Sequence, residues 1–161
     1  MKVVIDTNVF ISGIFWKRNY SSKIIKMWMK KGFELISSKE IIDEFERTMN
    51  NFKIQMPDKM IMEWKNLILK HAVIVNPTIK LNVVKDDLDD NKFIEAAITG
   101  KATLIISQDK HLLNIKKYKQ VTIINPKEAI KELEILSILK KANEQGLLLD
   151  EKEMKKYGFK S

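Results

Sequence analysis

Four carboxylates in this sequence are placed where an acid could do chemistry. Asp6 ends the apolar run Val3-Val4-Ile5, and Asp109 follows a second such run, Leu104-Ile105-Ile106-Ser107. Glu44 stands at helical spacing from Ile41 and beside Phe45, on or next to an apolar stripe, an unusual place for a carboxylate. Asp90 closes the acidic stretch Asp86-Asp87-Leu88-Asp89-Asp90 just before the apolar-periodic segment Phe93-Ile94-Ala97-Ile98. Four acids meeting in one place would repel one another and raise one another's pKa. A divalent cation with oxygen ligands relieves that repulsion, and Mg²⁺ or Mn²⁺ suits an all-carboxylate set. Each acid also has a plainer use. Asp6 and Asp109 can cap the helices that follow them, Asp87, Asp89 and Asp90 can complement a helix dipole, and Glu44 can reach outward to solvent.

The elements that must carry these acids alternate. Apolar runs rich in β-branched residues suit strands buried on both faces, and they recur at residues 3–5, 72–75, 103–107 and 121–124, while Phe33-Glu34-Leu35-Ile36 reads as a further short strand. Between them lie helical stripes. From about Ser21, with Ser21 or Ser22 as cap, the stripe is Ile24, Ile25, Trp28 and Met29, stopped at Gly32. Ser38 caps a helix carrying Ile41, Ile42, Phe45 and Met49. Pro57 opens another, with Met60, Ile61, Trp64, Ile68 and Leu69 on its apolar face. Residues 10–15 read as an apolar turn region, and residues 78–85 as a connector. A short helix is expected at 110–114. A longer one is expected from Lys127 to about Asn143, broken at Gly146, with Asp150 able to cap a final short helix. Strands alternating with helices predict a parallel sheet covered on both faces. In such a sheet ligands bind beyond the carboxyl ends of the strands, where Asp6 and Asp109 fall.

Composition narrows the classes. At 161 residues and 45% hydrophobic, the chain can build one domain with a substantial core. Cysteine is absent, which excludes disulfides and thiolate metal sites. No run of about 18 apolar residues predicts a membrane span. Met1-Lys2 leads directly into the first strand, so no signal peptide is expected and a cytoplasmic location is the default reading. The net charge of +8 favours a polyanionic partner. No acid occurs between Asp6 and Glu34, whereas Lys17, Arg18, Lys23, Lys26, Lys30 and Lys31 do; Lys110, Lys116, Lys117 and Lys119 form a second basic group. Basic segments flanking an acidic centre could hold a phosphate backbone, with Lys17, Arg18 and Lys110 the nearest candidates. His71 and His111 have no partner that suggests a catalytic pair, and no Gly-rich phosphate loop or nucleophilic Ser motif is present.

Four segments in order resemble the PIN-domain family, the metal-dependent ribonucleases that include the VapC-like toxins. They are Val4-Ile5-Asp6-Thr7-Asn8-Val9, Ser38-Lys39-Glu40-Ile41-Ile42-Asp43-Glu44-Phe45, Asp87-Leu88-Asp89-Asp90-Asn91-Lys92-Phe93 and Leu104-Ile105-Ile106-Ser107-Gln108-Asp109. The resemblance covers about residues 1–130. It implies a three-layer α/β/α sandwich around a five-stranded parallel sheet in the order 3-2-1-4-5. It aligns Asp6, Glu44, Asp90 and Asp109 with the family's metal-binding acidic quartet, with Asp89 a rival for the third place and Asn8 and Ser107 supporting the ligands. It also implies Mg²⁺ or Mn²⁺, cleavage of single-stranded RNA, a homodimer and, within toxin–antitoxin pairs, an antitoxin protein that blocks the groove. Residues 131–161 extend beyond the minimal domain and are expected as a helical extension packed on it. Two rival readings are an RNA-binding module that keeps this fold without activity, and a phosphohydrolase of the haloacid-dehalogenase type. The latter needs a second Asp two positions after the first, where this chain has Asn8.

Overall fold

The computed structural model describes residues 1–147. The expected cap at Asp150 lies outside the described residues. The chain divides into one unit of Met1–Ile130 and a second from Lys131 on. In chain order the elements are β1 (Lys2–Ile5), α1 (Thr7–Phe15), α2 (Tyr20–Met29), β2 (Glu34–Ser38), α3 (Lys39–Asn50), α4 (Asp58–His71) and β3 (Val73–Val75). A 3₁₀ turn (Leu88–Asp90) leads into α5 (Asn91–Thr99), followed by β4 (Leu104–Ile106), α6 (Lys110–Ile115), β5 (Lys117–Tyr118), β6 (Val121–Ile124) and α7 (Pro126–Glu144). Gly146 follows α7 with φ of 66°, a backbone state open to glycine at little cost.

The sheet order is β3-β2-β1-β4-β6-β5. Its five principal strands are parallel and run in the expected order, with β6 in the fifth place. The count of five is corrected to six: β5 pairs antiparallel with β6, Lys117 opposite Thr122 and Tyr118 opposite Val121. The hairpin turns through Lys119 at φ of 52° rather than through a glycine, so its sequence carries no turn signal. β1 lies at the centre, and Val3, Val4 and Ile5 are at most 3% exposed. Alternation along the strands supplies both faces. Val4, Ile36, Ile105 and Ile123 join Phe93, Ile94, Ala97 and Leu112 in one core cluster. Across the sheet, Phe10 packs edge-on to Trp28 and Phe45, with centroids 5.6 Å away in each case, and to Trp64 at 6.2 Å.

Some local expectations change. Residues 10–15 belong to α1, because Asp6 caps the chain into a helix at once and Val9, Phe10 and Ile11 are buried on it. α2 starts at Tyr20, capped by Asn19, whose side-chain oxygen accepts the Ser22 N–H at 2.7 Å; Ser21 and Ser22 lie inside the helix. Gly13 lets α1 and α2 approach, since a Cβ there would stand 2.8 Å from the Ser21 carbonyl oxygen. Met29, Met60 and Leu69 were expected on buried stripes and are exposed, each at the edge of its helix's apolar arc. The edge strand β3 is likewise open at Val73 and Ile74. Ser38 does cap α3, accepting the Ile41 N–H at 3.4 Å. Among the described residues no helix is long and apolar enough to cross a membrane.

Candidate functional site

The ends of β1 and β4 are adjacent, and the residues that follow them are tied together. The backbone N–H of Asp6 donates to the Ile106 carbonyl at 2.9 Å, completing the ladder up to the acid. Asp6 is 3% exposed. Its Oδ1 accepts the Asn8 N–H at 3.0 Å, which caps α1, and its Oδ2 accepts the Ser107 hydroxyl at 2.6 Å. Ser107, fully buried, also accepts the Asp109 N–H at 2.9 Å. One hydroxyl therefore joins the two strand-end acids. Asp109 caps α6 by accepting the His111 N–H at 2.7 Å. Capping and site roles coexist because each carboxylate oxygen keeps a second lone pair. Asn8 contributes through its backbone; its side chain is exposed.

Asp90 reaches the same end by another route. Asn91, 2% exposed, accepts the Val83 and Val84 N–H groups at 2.8 and 3.0 Å and donates to the Val84 and Leu88 carbonyls at 3.1 and 2.9 Å. Glu95, also buried, accepts the Leu81 N–H at 2.7 Å. These two polar side chains of α5 fasten the connector of residues 81–88 and so set the turn that carries Asp90. Asp90 Oδ2 is buried with no hydrogen-bond partner, as is Thr7 Oγ1. Burial, and then the charges of Asp87, Asp109, Asp6 and Glu44, raise the Asp90 pKa from 3.8 to about 7. Asp6 is likewise raised, first by burial and also by Glu44, against the lowering effect of the Ser107 and Asn8 bonds. The four acids thus share one electrostatic neighbourhood at the carboxyl end of the sheet.

Glu44 differs from the other three. It is partly buried on α3 and forms an ion pair with Lys92 of α5, which also binds Asp89. Lys92 is only 6% exposed. Burial works to lower its pKa, but the bonds from Asp89 and Glu44 outweigh burial and leave it raised, so it is a cation. Asp89, its side chain 72% exposed, belongs to this pair rather than to the buried cluster around Asp90. Among the described residues no three acidic or histidine side chains stand close enough to share one metal ion as placed. The donor chemistry nevertheless fits a hard cation: carboxylate oxygens from Asp6, Asp90 and Asp109, one of them buried and unpartnered.

The basic candidates divide. Lys110 follows Asp109 directly and is exposed. Lys17 and Arg18 are exposed beyond the far end of α1, so the nine-residue helix sets them roughly 14 Å along its axis from the Asp6 end. His111 lies 3.8 Å from Asp86 through Nδ1. Lys92 and Asn91 are the residues sequence reasoning left without a role. A lysine in the first turn of a mostly apolar helix, three residues after Asp89, was the available signal. Its second partner, Glu44, is too distant in sequence to be seen.

A PIN-domain family profile matches residues 2–111. The chain belongs to the PIN-domain family. An uncharacterized protein of Methanocaldococcus jannaschii is 35% identical to this PIN-domain protein over 150 residues, spanning 83% of this chain and 92% of the relative. Among solved structures, a chain of the crystal structure of VapBC2 from Rickettsia felis, bound to a DNA fragment from its promoter, superposes with a TM-score of 0.54. That match spans 78% of this chain and 98% of the other at 12% identity, so it establishes a shared fold. All four segments that carry the acids fall within the matched 2–111 region, which ends just after Asp109.

Proposed function

We propose that this PIN-domain protein is a divalent-metal-dependent endoribonuclease that cleaves phosphodiesters of single-stranded RNA. The observation that carries the reading is the buried, unpartnered Asp90 Oδ2 among the charges of Asp6, Asp109 and Glu44. Asp6, Asp90 and Asp109 would hold Mg²⁺ or Mn²⁺, and Glu44 would complete the acidic quartet. Such a cation supplies Lewis-acid stabilisation of charge developing on the phosphate and makes water a better nucleophile near neutral pH. The chain's own part is positional. Ser107 fixes Asp6 through its hydroxyl and anchors the Asp109 backbone, and Asn91 sets the turn that presents Asp90. Lys110 would meet a phosphate beside the centre, and Lys17 and Arg18 would hold the strand further along. The VapBC2 likeness supports a toxin role with an antitoxin protein as partner, the family resemblance supports a homodimer, and the absence of cysteine supports a cytoplasmic site of action.

A second reading is an RNA-binding module without activity. The engagement of Glu44 by Lys92 favours it, since that acid is already neutralised. One experiment separates the two. Purified protein is incubated with single-stranded RNA and Mn²⁺, with and without EDTA, alongside Asp6→Asn. The nuclease reading expects cleavage by wild type, none in EDTA, and none by Asp6→Asn although that variant still binds RNA. RNA binding without any cleavage would favour the module, and equal turnover by Asp6→Asn would remove Asp6 from the mechanism.

A further inference from the structure

Lys92 is costly where it stands. A buried ammonium must be paired, and replacing such a pair by apolar groups is often neutral or stabilising for a fold. Here the pairing draws on two elements: Glu44 from α3 and Asp89 from the turn before α5. Asp89 is mostly in water, so solvent screens its side of the pairing. The partly buried partner is Glu44, and Lys92 meets it from the first turn of α5, two residues after the buried carboxylate of Asp90. Lys92 therefore brings one fixed positive charge to the edge of a four-acid cluster. Its ammonium is tethered to α5 and cannot diffuse away.

We propose that Lys92 is a built-in counter-ion that occupies, for Glu44, the place a second divalent cation would otherwise take. The formal charges agree. Asp6, Glu44, Asp90 and Asp109 carry four negative charges; Lys92 and one divalent cation offset three of them, whereas without Lys92 a second divalent cation is needed to offset as much. Centres with two metals use the second ion to stabilise the leaving or attacking oxygen. In this chain the Glu44 side of the centre carries an ammonium instead, and Lys92 acts as a positioning residue that holds Glu44 on α3 toward α5. The inference rests on the metal-centre reading above, but its test is a difference between variants and can fail separately.

The test is titration calorimetry of the full chain with millimolar Mn²⁺, comparing wild type, Lys92→Met and the double variant Lys92→Met/Glu44→Gln. The expected result is one more Mn²⁺ bound per chain by Lys92→Met than by wild type, lost again in the double variant. Equal uptake by wild type and Lys92→Met would overturn the assignment. If wild type takes up none, the metal-centre reading fails and with it the role of Lys92 as stand-in for a second cation; if wild type takes up one and Lys92→Met no more, only the role of Lys92 fails. Thermal unfolding gives a second readout. Without metal, Lys92→Met should melt below wild type, since Glu44 and Asp89 lose their shared counter-charge, and Mn²⁺ should raise its Tm by more than it raises that of wild type. The same Mn²⁺-induced rise in both would count against the proposal. Lys92→Gln keeps an N–H donor to Glu44 without the charge; it serves if Lys92→Met does not fold and should show the same extra uptake.

Discussion

Asp90→Asn should make the metal-free protein more stable at neutral pH while removing the proposed nuclease activity. The folded-state pKa of about 7 lies above the unfolded value of 3.8, so as pH rises the unfolded chain gives up this proton first. Between those values the native state binds more protons, and stability falls with rising pH until the native Asp90 has also ionised. A shift of roughly three units corresponds to about 4 kcal/mol as an upper limit. Asp90 is only partly buried, and solvent screening reduces the expected effect to about 1–2 kcal/mol. Asparagine carries no charge and forfeits no side-chain hydrogen bond, because the Asp90 carboxylate makes none as a cap. The assay is urea unfolding of both proteins in EDTA across about pH 4 to pH 8. The curves should coincide near the acid end and separate through the window, with Asp90→Asn ahead by about 1–2 kcal/mol at the alkaline end. A variant equally or less stable there, or a gap that does not narrow in acid, would show that the Asp90 charge is not held against burial and the repulsion of its neighbours.

Ser107→Ala removes the hydroxyl that donates to Asp6 and leaves the Asp109 N–H without its acceptor. A loss of about 1.5–3 kcal/mol is expected at pH 8, shrinking as acid protonates Asp6, whose pKa should rise further once that bond is gone; urea midpoints at two pH values check both. Asn91→Ala strips four hydrogen bonds from the connector, and unpaired buried backbone groups should cost about 3 kcal/mol or more. Hydrogen exchange should then quicken at the Val83 and Val84 amides while those of β1 and β4 keep their protection relative to global unfolding; unchanged exchange at Val83 and Val84 would show that Asn91 does not fasten the segment.

An acid that makes no hydrogen bond in the folded chain, and that burial and then other acids push toward neutrality, makes sense only if something else is gained. The same tension marks Lys92, a buried cation at the rim of the acidic end. Local rules of folding are broken at these two residues and satisfied almost everywhere around them. Such breaks are where function is to be sought.

Read by itself, the sequence supplied five strands of a parallel sheet and the two acids that end them, without the antiparallel β5. Val3-Val4-Ile5 and Leu104-Ile105-Ile106 could hardly be other than buried parallel strands, and a parallel sheet puts Asp6 and Asp109 at its carboxyl end. Ser38 and Pro57 marked helix starts by backbone chemistry that is local and therefore readable. The structure decided what depended on partners distant in the chain. Residues 10–15, read from sequence as a turn region, proved helical because the Asp6 cap and the packing of Phe10 on Trp28 and Phe45 hold them there. The β5 hairpin was invisible because Lys119 adopts a backbone state its side chain does not advertise. Periodicity says which face of a helix is buried, and not what lies opposite. For that reason the sequence could place Glu44 beside an apolar stripe, and only the packing of α3 against α5 could show that Lys92 meets it there.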